Sequence, residues 1–239
     1  MDGKQMGQYT KGIRDGIPIA LGYLSVSFTF GLMAVSGGLA WWEATLISMT
    51  NLTSAGQFAA LPLMAAGGAW LEMFLTQFVI NLRYALMSLS LSQKVDGSMS
   101  TLYRMILGFA NTDEIFAVAM SNSRPVGRVY LFGLATMPFF GWSLGTLFGA
   151  LLGQILPAAV VSALGIAIYG MFLAIILPAA KEKRSVRLVV GAAVGISCLF
   201  YYVPGLKEVS SGFVIIVASV IASAVGALAF PVKEVESGD

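Results

Sequence analysis

Apolar residues run through this chain in long stretches without charge, and those stretches predict helices that span a membrane. A spanning helix needs about 20 mostly apolar residues. Irregular backbone cannot face lipid, and the strands of a membrane barrel alternate in polarity, so the predicted elements are helices. Five stretches contain no Asp, Glu, Lys or Arg: 16–42, 44–71, 129–180, 188–206 and 209–232. The stretch 129–180 is long enough for two helices, with Pro157 at the turn between them.

The pattern therefore predicts an all-α polytopic membrane protein with about eight transmembrane helices. We expect residues 1–239 to form a single transmembrane domain. The fourth segment is short and polar in the middle, and the second is also polar half-way along, so both are predicted to be interrupted near the bilayer midplane. The predicted spans are 16–36, 44–66, 70–92, 104–121, 129–153, 157–180, 187–204 and 211–231.

Composition supports a membrane protein and limits its chemistry. The chain is 57% hydrophobic and 11% charged, with a mean hydropathy of +0.83, whereas soluble chains carry about 25% charge. The apolar run from Ile17 to Val35 is longer than the roughly 7–15 residues of a cleavable signal segment, so it is interpreted as a retained first helix. Cys198 is the single cysteine, which excludes an internal disulfide or a cysteine metal cluster.

Positive charges predict the orientation, because cytoplasmic loops are enriched in Lys and Arg. With eight spans and both termini in the cytoplasm, the inside receives the N-terminal tail, the loop from Arg124 to Arg128, the basic residues of 181–187, and Lys233. The cations left outside are Lys94, Arg104 and Lys207. If the fourth segment did not cross, the basic loop 181–187 would move outside, so the charges favour eight spans.

Two sequence patterns concern packing and symmetry. Leu61-Pro62 and Leu177-Pro178 close the second and sixth predicted spans, each followed by Ala-Ala, which suggests a parallel repeat of four plus four helices. Small residues spaced four apart let another backbone approach closely. They form either a packing face within the chain or a docking face for a second membrane subunit; the residues are Gly141, Gly145, Gly149 and Gly153.

Arg83, Asp113 and Glu114 are ionisable residues inside segments that otherwise suit a bilayer. Such a residue costs roughly 2.5–3.5 kcal/mol on insertion scales and usually faces a pathway or a partner. Arg83 lies eleven residues from both Glu72 and Lys94, which is too far to reach the surface easily. These charges therefore predict a translocation site.

The first polar cluster lies half-way through the second span. Thr53 and Ser54 are good N-caps for a helix that resumes after a break, and Gly56 permits the backbone excursion. Exposed N–H groups at such a helix start can bind a substrate carboxylate. The alternative is an unbroken helix whose hydroxyls bond to its own carbonyls. The cluster also includes Asn51 and Gln57.

The second cluster, in the third span, is Asn81, Arg83 and Tyr84. The guanidinium can pair with a carboxylate of the protein or of a ligand. The alternative is a purely structural ion pair.

The third cluster is Asn111, Thr112, Asp113 and Glu114, a cap followed by two acids, which usually opens a helix. Either acid could pair with Arg83, hold a substrate ammonium or exchange a proton. The alternative is an ordinary helix cap at the membrane surface.

The three clusters share one predicted depth, and together they supply the charges that bind an amino-acid zwitterion. Apolar neighbours such as Phe58 and Phe116 could accept an aliphatic side chain. The chain has no histidine and no glycine-rich phosphate loop, which removes histidine-dependent catalysis and ATP hydrolysis from the candidate functions. We expect no enzymatic activity and no cofactor.

Four segments resemble the AzlC (YgaZ-like) family, the large subunits of branched-chain amino-acid exporters. They are Gly12 to Pro18, Thr53 to Leu61, Asn81 to Tyr84 and Thr112 to Ala117. The resemblance implies efflux of valine, leucine, isoleucine and methionine across a bacterial inner membrane, with a small four-span partner of the AzlD type. It also implies a role in the pathway for Gln57, Arg83, Asp113 and Glu114. The family often has His where this chain has Tyr84.

These inferences predict a secondary exporter that binds a zwitterion at the two interrupted helices, with Arg83 on the carboxylate. The competing hypothesis is a membrane scaffold or assembly subunit whose buried charges are structural. The scaffold hypothesis predicts that exchanging the charges of Arg83 and Asp113 restores function. The transport hypothesis predicts that the exchange restores folding but not efflux.

Overall fold

The computed structural model describes residues 3–153, 155–157, 159–160, 170, 173 and 176–231, and nearly all of them are helical or in short turns. Nine helices have both ends within this part of the chain: α1 (Gly3–Ser36), α2 (Trp41–Thr50), α3 (Ala55–Ala65), α4 (Trp70–Ser92), α5 (Thr101–Phe109), α6 (Asp113–Ser121), α7 (Arg128–Leu152), α8 (Arg184–Tyr202) and α9 (Ser211–Ala229).

Five of these helices, α1, α4, α7, α8 and α9, are long and apolar enough to cross a membrane. They match five of the predicted spans, and α4 matches 70–92 at both ends. The chain is thus a multi-pass membrane protein. The predicted span 157–180 lies largely outside the described residues, although residues 176–180 are helical.

α1 and α7 run parallel and in close contact, since residues early in one helix meet residues early in the other. Gly12 lies against Tyr130, and Gly153 lies against Leu32. The glycine face of α7 is occupied by α1 of the same chain, because a Cβ at Gly149 would lie far inside contact distance of the Phe28 carbonyl oxygen. Gly141 and Gly145 likewise meet the α1 backbone at Ala20 and Leu24. At Gly141, Gly145 and Gly149, this face is therefore a packing face within the chain.

We call the side of the molecule where α1 and α7 begin the start side, and the side where they end the end side. α4 runs in the opposite sense to α7. Its C-terminal continuation lies beside the beginning of α7, where Val126 N donates to Lys94 O at 3.1 Å and Asp96 N to Val126 O at 3.0 Å. α4 therefore begins on the end side and finishes on the start side.

The second predicted span is interrupted at residues 51–54, as expected, but the chain then turns back. α2 follows the end of α1, and α3 leads into the beginning of α4, so this segment enters and leaves on the end side. Ala44 of α2 and Leu61 of α3 accordingly pack in one cluster with Phe30 and Ala150. We call α2 and α3 the first hairpin, with its tip at residues 51–54.

The fourth predicted span is interrupted at residues 110–112 and also turns back. α5 begins just after the loop that joins α4 to the start side, where Arg104 Nη1 donates to Ser92 O at 3.5 Å. α6 ends at Asn122, whose Nδ2 donates to Tyr130 Oη at 3.1 Å and whose Oδ1 accepts from Lys11 Nζ at 2.8 Å. Both ends of this second hairpin therefore lie on the start side.

The prediction of eight crossings is thus wrong for two segments, because each hairpin re-enters instead of crossing. The parallel repeat of four plus four helices pairs the second predicted span with 157–180, most of which lies outside the described residues, so it stays a prediction. Residues 3–121 form two inverted units instead of continuous spans at the second and fourth segments. Each unit is a long helix followed by a hairpin: α1 with the first, α4 with the second. Both tips end on a hydroxyl N-cap, Ser54 or Thr112, followed four residues later by Phe-Ala. Inverted units of this kind are common in secondary transporters.

The hairpins also explain the cations that an eight-span arrangement leaves outside. Ser210 Oγ contacts Glu72 at the beginning of α4, so the loop between α8 and α9 lies on the end side. α8 therefore begins on the start side, and the loop at 181–187 shares that side with the loop at 122–127. Lys94 and Arg104 now join that side. Among the described cations in loops and at helix ends, Lys207 remains on the end side.

Cysteine labelling tests this topology. In a variant with Cys198 replaced by serine, we expect Gly97→Cys and Ser123→Cys to react with an impermeant maleimide from the same side of the membrane. All three positions are exposed. Ser36→Cys, at the end of α1, should react from the opposite side. An eight-span protein would instead place positions 97 and 123 on opposite sides.

Candidate functional site

The tips of the two hairpins meet beside one face of α4. That face carries a polar stripe at helical spacing, consisting of Gln77, Asn81, Tyr84 and Ser88. Tyr84 Oη donates to the carbonyl oxygen of Thr53 in the first tip at 3.4 Å. Asn111 Nδ2 in the second tip donates to Ser88 Oγ at 3.0 Å. The three predicted polar clusters are therefore brought together.

The first tip holds an unusual backbone. Ser54 has a φ of +45°, the one non-glycine residue of the described chain with a positive φ, a conformation that costs of order 1–3 kcal/mol. Asn51 Oδ1 accepts from Thr53 N at 3.2 Å and supports the turn. The first turn of α3 contains no acidic residue, so the partial positive charge of this helix start is not neutralised within its own helix.

Gly56 lets α3 approach the polar stripe of α4. A Cβ at this position would lie 2.5 Å from Thr53 Oγ1 and 2.6 Å from Gln77 Oε1. Gln77 Nε2 donates to the Gly56 carbonyl at 2.8 Å, and Asn81 Nδ2 donates to Gln77 Oε1 at 3.2 Å. Gly56 and Asn81 thus line the same packed junction.

Arg83 and Asp113 form the predicted ion pair, with Arg83 Nη1 2.5 Å from Asp113 Oδ2. Their side chains are 45% and 42% exposed, so a small molecule can reach both charges. Arg83 Nη2 also donates to Tyr84 Oη at 3.3 Å. Through Tyr84 and Thr53, the ion pair joins the tip of one hairpin to the tip of the other.

Glu114 takes a different partner from its neighbour Asp113. Its Oε2 lies 2.5 Å from Tyr23 Oη, which is also 2.6 Å from Thr112 Oγ1. A phenol has one proton and can donate to one of these acceptors at a time. The Tyr23 ring packs edge to face on Trp142, with centroids 5.3 Å apart. The two adjacent acids are therefore separated, one beside a guanidinium and one beside a buried phenol.

Gln57 lies in a buried polar network and is only 1% exposed. Its Oε1 accepts from Trp142 Nε1 at 2.9 Å, and its Nε2 donates to Ser48 Oγ at 2.9 Å. Ser48 Oγ is 2.7 Å from Thr146 Oγ1. Gln57 thus joins its own helix α3 to α2 and α7, and Arg83 is not among its hydrogen-bond partners.

Several buried oxygen atoms at the tips have no hydrogen-bond partner within the described chain. Four of the six side-chain atoms of this kind are Thr53 Oγ1, Ser54 Oγ, Asn81 Oδ1 and Asn111 Oδ1. Leaving such an atom unpaired costs about 1–3 kcal/mol. Their concentration at the tips is what a site built for a polar ligand or for water requires.

Sequence reasoning missed residues on both sides of this site. Gln77 and Ser88 had a signal, since they extend Asn81 and Tyr84 into a stripe at intervals of four, three and four residues. Tyr23 and Trp142 had none, because an aromatic residue in an apolar helix is usually part of the packing.

Comparisons with known proteins place the chain in a family. Residues 18–156 match the family model described as AzlC protein. The chain belongs to the AzlC family. The matched residues run from α1 through α7 and include both hairpins, the ion pair and the buried network, so the AzlC-family region coincides with the candidate site.

Two relatives match most of this AzlC-family chain. "Inner membrane protein YgaZ" of Escherichia coli (strain K12) is 29% identical over 199 residues, covering 79% of this chain and 81% of that protein. An "Uncharacterized membrane protein" of Archaeoglobus fulgidus is 32% identical over 191 residues, covering 79% and 84%. No solved structure matches the chain.

Proposed function

We propose that this protein is the large subunit of a secondary transporter that exports branched-chain amino acids. The observation that supports it most is the accessible Arg83–Asp113 pair at the meeting point of two re-entrant hairpins. The substrate class that we propose, valine, leucine, isoleucine and methionine, is consistent with membership of the AzlC family. No step requires an enzyme reaction.

A zwitterion can replace each partner of this ion pair by one of its own charges. The substrate carboxylate takes the Arg83 guanidinium, with the unneutralised N-terminus of α3 beside it. The α-ammonium takes Asp113. Because charge stays balanced while the pair opens, the exchange avoids leaving an unpaired ion inside the protein. Glu114 is hydrogen-bonded to Tyr23 and binds neither charge of the substrate. In this proposal it carries the proton that is coupled to transport.

The inverted hairpins supply a means of alternating access. The second hairpin covers the site from the start side and the first covers it from the end side. Displacing one hairpin at a time would open the site to one side of the membrane, as the repeats of other transporters do.

The start side faces the cytoplasm in this proposal. Described cations near this side include Lys11, Lys94, Arg128 and Arg187, whereas Lys207 is the cation of the loop between α8 and α9 on the end side. This distribution follows the positive-inside rule. With a relative named an inner membrane protein, it supports a place in the bacterial inner membrane with both termini cytoplasmic.

A small four-span subunit of the AzlD type completes the proposed exporter. The half-exposed ion pair supports a partner, because Leu82 and Leu86 on the same helix are 51% and 67% exposed and suit a membrane environment. An ion pair facing hydrocarbon is unfavourable. A second membrane subunit or a protein-lined aqueous path must therefore cover it.

The scaffold hypothesis keeps one observation in its favour. Arg83 and Asp113 pair with each other, as two structural charges would. Its separate prediction, recovery of function on exchanging the two charges, is taken up in the Discussion.

Counterflow in vesicles tests the proposed function. The chain and its partner subunit, reconstituted in vesicles preloaded with unlabelled leucine in large excess over the labelled amino acid outside, should accumulate labelled leucine, valine and isoleucine. Labelled lysine and glutamate should not accumulate, because their side chains carry charge. Uptake equal to that of empty vesicles for every aliphatic amino acid would overturn the proposal.

A further inference from the structure

A cavity of about 90 Å³ lies between the end of α4, α5 and the beginning of α7. It is on the start side of the second tip. Its walls are mostly apolar and include Leu91, Leu107 and Leu131. Its volume is below the roughly 300–1,000 Å³ of sites for drug-sized ligands, but it has the same lining of apolar side chains with a few polar groups, so its size suits a single aliphatic side chain.

Asn111 is the polar group at the inner end of the cavity. It is 3% exposed. Its Nδ2 donates to Ser88 Oγ, while its Oδ1 is buried without a partner. A buried carbonyl oxygen in this position lacks a donor, and supplying one is favourable. The cavity therefore combines apolar walls with a single unmet acceptor.

Arg104 marks the open mouth of the cavity. Its guanidinium is tied to the carbonyl oxygens of Met99 and Ser92, at 3.4 and 3.5 Å. Asn111 lies seven residues further along the chain, just past the end of α5, and lines the same cavity. Because the guanidinium is already bonded to two backbone carbonyls, we assign Arg104 to the entrance.

We propose that this cavity is a loading pocket that selects the aliphatic side chain of the substrate. The side chain lies among the leucines, and the α-ammonium donates to Asn111 Oδ1. Asn111 is two residues before Asp113, so a movement of the second tip transfers the ammonium from the amide to the carboxylate. This inference rests on the proposed function. It adds the apolar cavity as the part of the protein that distinguishes aliphatic substrates from others.

Gly108 allows the pocket to be filled without disturbing the backbone. It lines the cavity, and a Cβ at this position would meet nothing within 4 Å. In Gly108→Leu we expect the half-saturating concentration of leucine in counterflow to rise by at least about tenfold, since a misfit of even one methylene in a hydrophobic pocket changes discrimination by roughly 10- to 200-fold. Gly108→Ala should change it less. Gly22→Leu is the matched control, a helical glycine with nothing within 4 Å of its Cβ.

Asn111→Leu tests the ammonium contact separately. Removing an unmet buried acceptor should leave the melting temperature of the ligand-free protein unchanged or higher. The rise in melting temperature that leucine gives the wild type should become smaller, because the site at Arg83 and Asp113 remains. A purely structural asparagine would instead lower the ligand-free melting temperature and keep the response to leucine.

The inference is overturned if Gly108→Leu keeps the wild-type half-saturation for leucine, or if Asn111→Leu keeps the full stabilisation by leucine. Should Gly108→Leu not fold, Leu107→Trp, at the neighbouring position of α5, narrows the same cavity and is judged in the same way. Arg83→Ala separates the two proposals: inactive Arg83→Ala with unaffected pocket variants rejects the pocket alone. Full activity in Arg83→Ala rejects the proposed function.

Discussion

Exchanging the two charges of the ion pair, in the double variant R83D/D113R, should leave a folded protein that does not export leucine. The reversed pair keeps both charges paired, as ionisable residues inside membrane segments require, so it should give a near wild-type melting temperature. Transport should be lost because the exchange places a carboxylate where the substrate carboxylate binds. The measurement is efflux of labelled leucine from preloaded vesicles.

The efflux rates of single variants are the reference for the double variant. Arg83→Ala should lower the efflux rate by about 10- to 100-fold, because a hydrogen bond to a charged group contributes roughly 1.5–3 kcal/mol. Lys94→Ala, in the loop after α4, is the matched loss of one cation and should have little effect. If the double exchange restored efflux lost in the single variants, the two charges would be structural and the scaffold hypothesis would gain.

Gly149→Leu should destabilise the protein severely, by about 3 kcal/mol or more, which is the upper end of the usual cost of overpacking. The obstacle is the α1 backbone at Phe28, which cannot move aside as a side chain can. Because both hairpins pack against α1 and α7, loss of this contact should also abolish transport.

Gly195→Leu provides the control for that substitution. Gly191 and Gly195 on α8 repeat the spacing of the α7 glycines, but a Cβ at either position meets nothing within 4 Å. The melting temperature in detergent should fall strongly for Gly149→Leu and hardly change for Gly195→Leu. Equal effects would show that the α1–α7 contact is not what sustains the fold.

The helix breaks were predictable, and the direction of the chain after them was not. Thr53, Ser54, Thr112 and the acids that follow encode where a helix starts. A start signal is equally compatible with a helix that continues and one that folds back. The two halves of either hairpin, each of 9–11 residues, add up to the length of one span, so length did not decide. The one indication in the sequence was that eight crossings place Lys94 and Arg104 outside, against the positive-inside rule.

The site shows the same limit at the level of single side chains. The pairing of Arg83 with Asp113 was predictable because an unpaired charge in this position is so unfavourable. The separation of Asp113 from Glu114 depends on Tyr23, more than eighty residues away in the sequence. The placement of Gln57 depends on Trp142 in the same way. Partners that are distant in sequence leave no local pattern.

A hairpin that leaves the membrane on the side it entered does not alter the orientation of anything that follows it. During synthesis, therefore, α4 and every later helix would acquire the same orientation whether or not residues 41–65 had yet been inserted. The gating parts of this molecule could fold late, or differ in length among relatives, without inverting the protein around them.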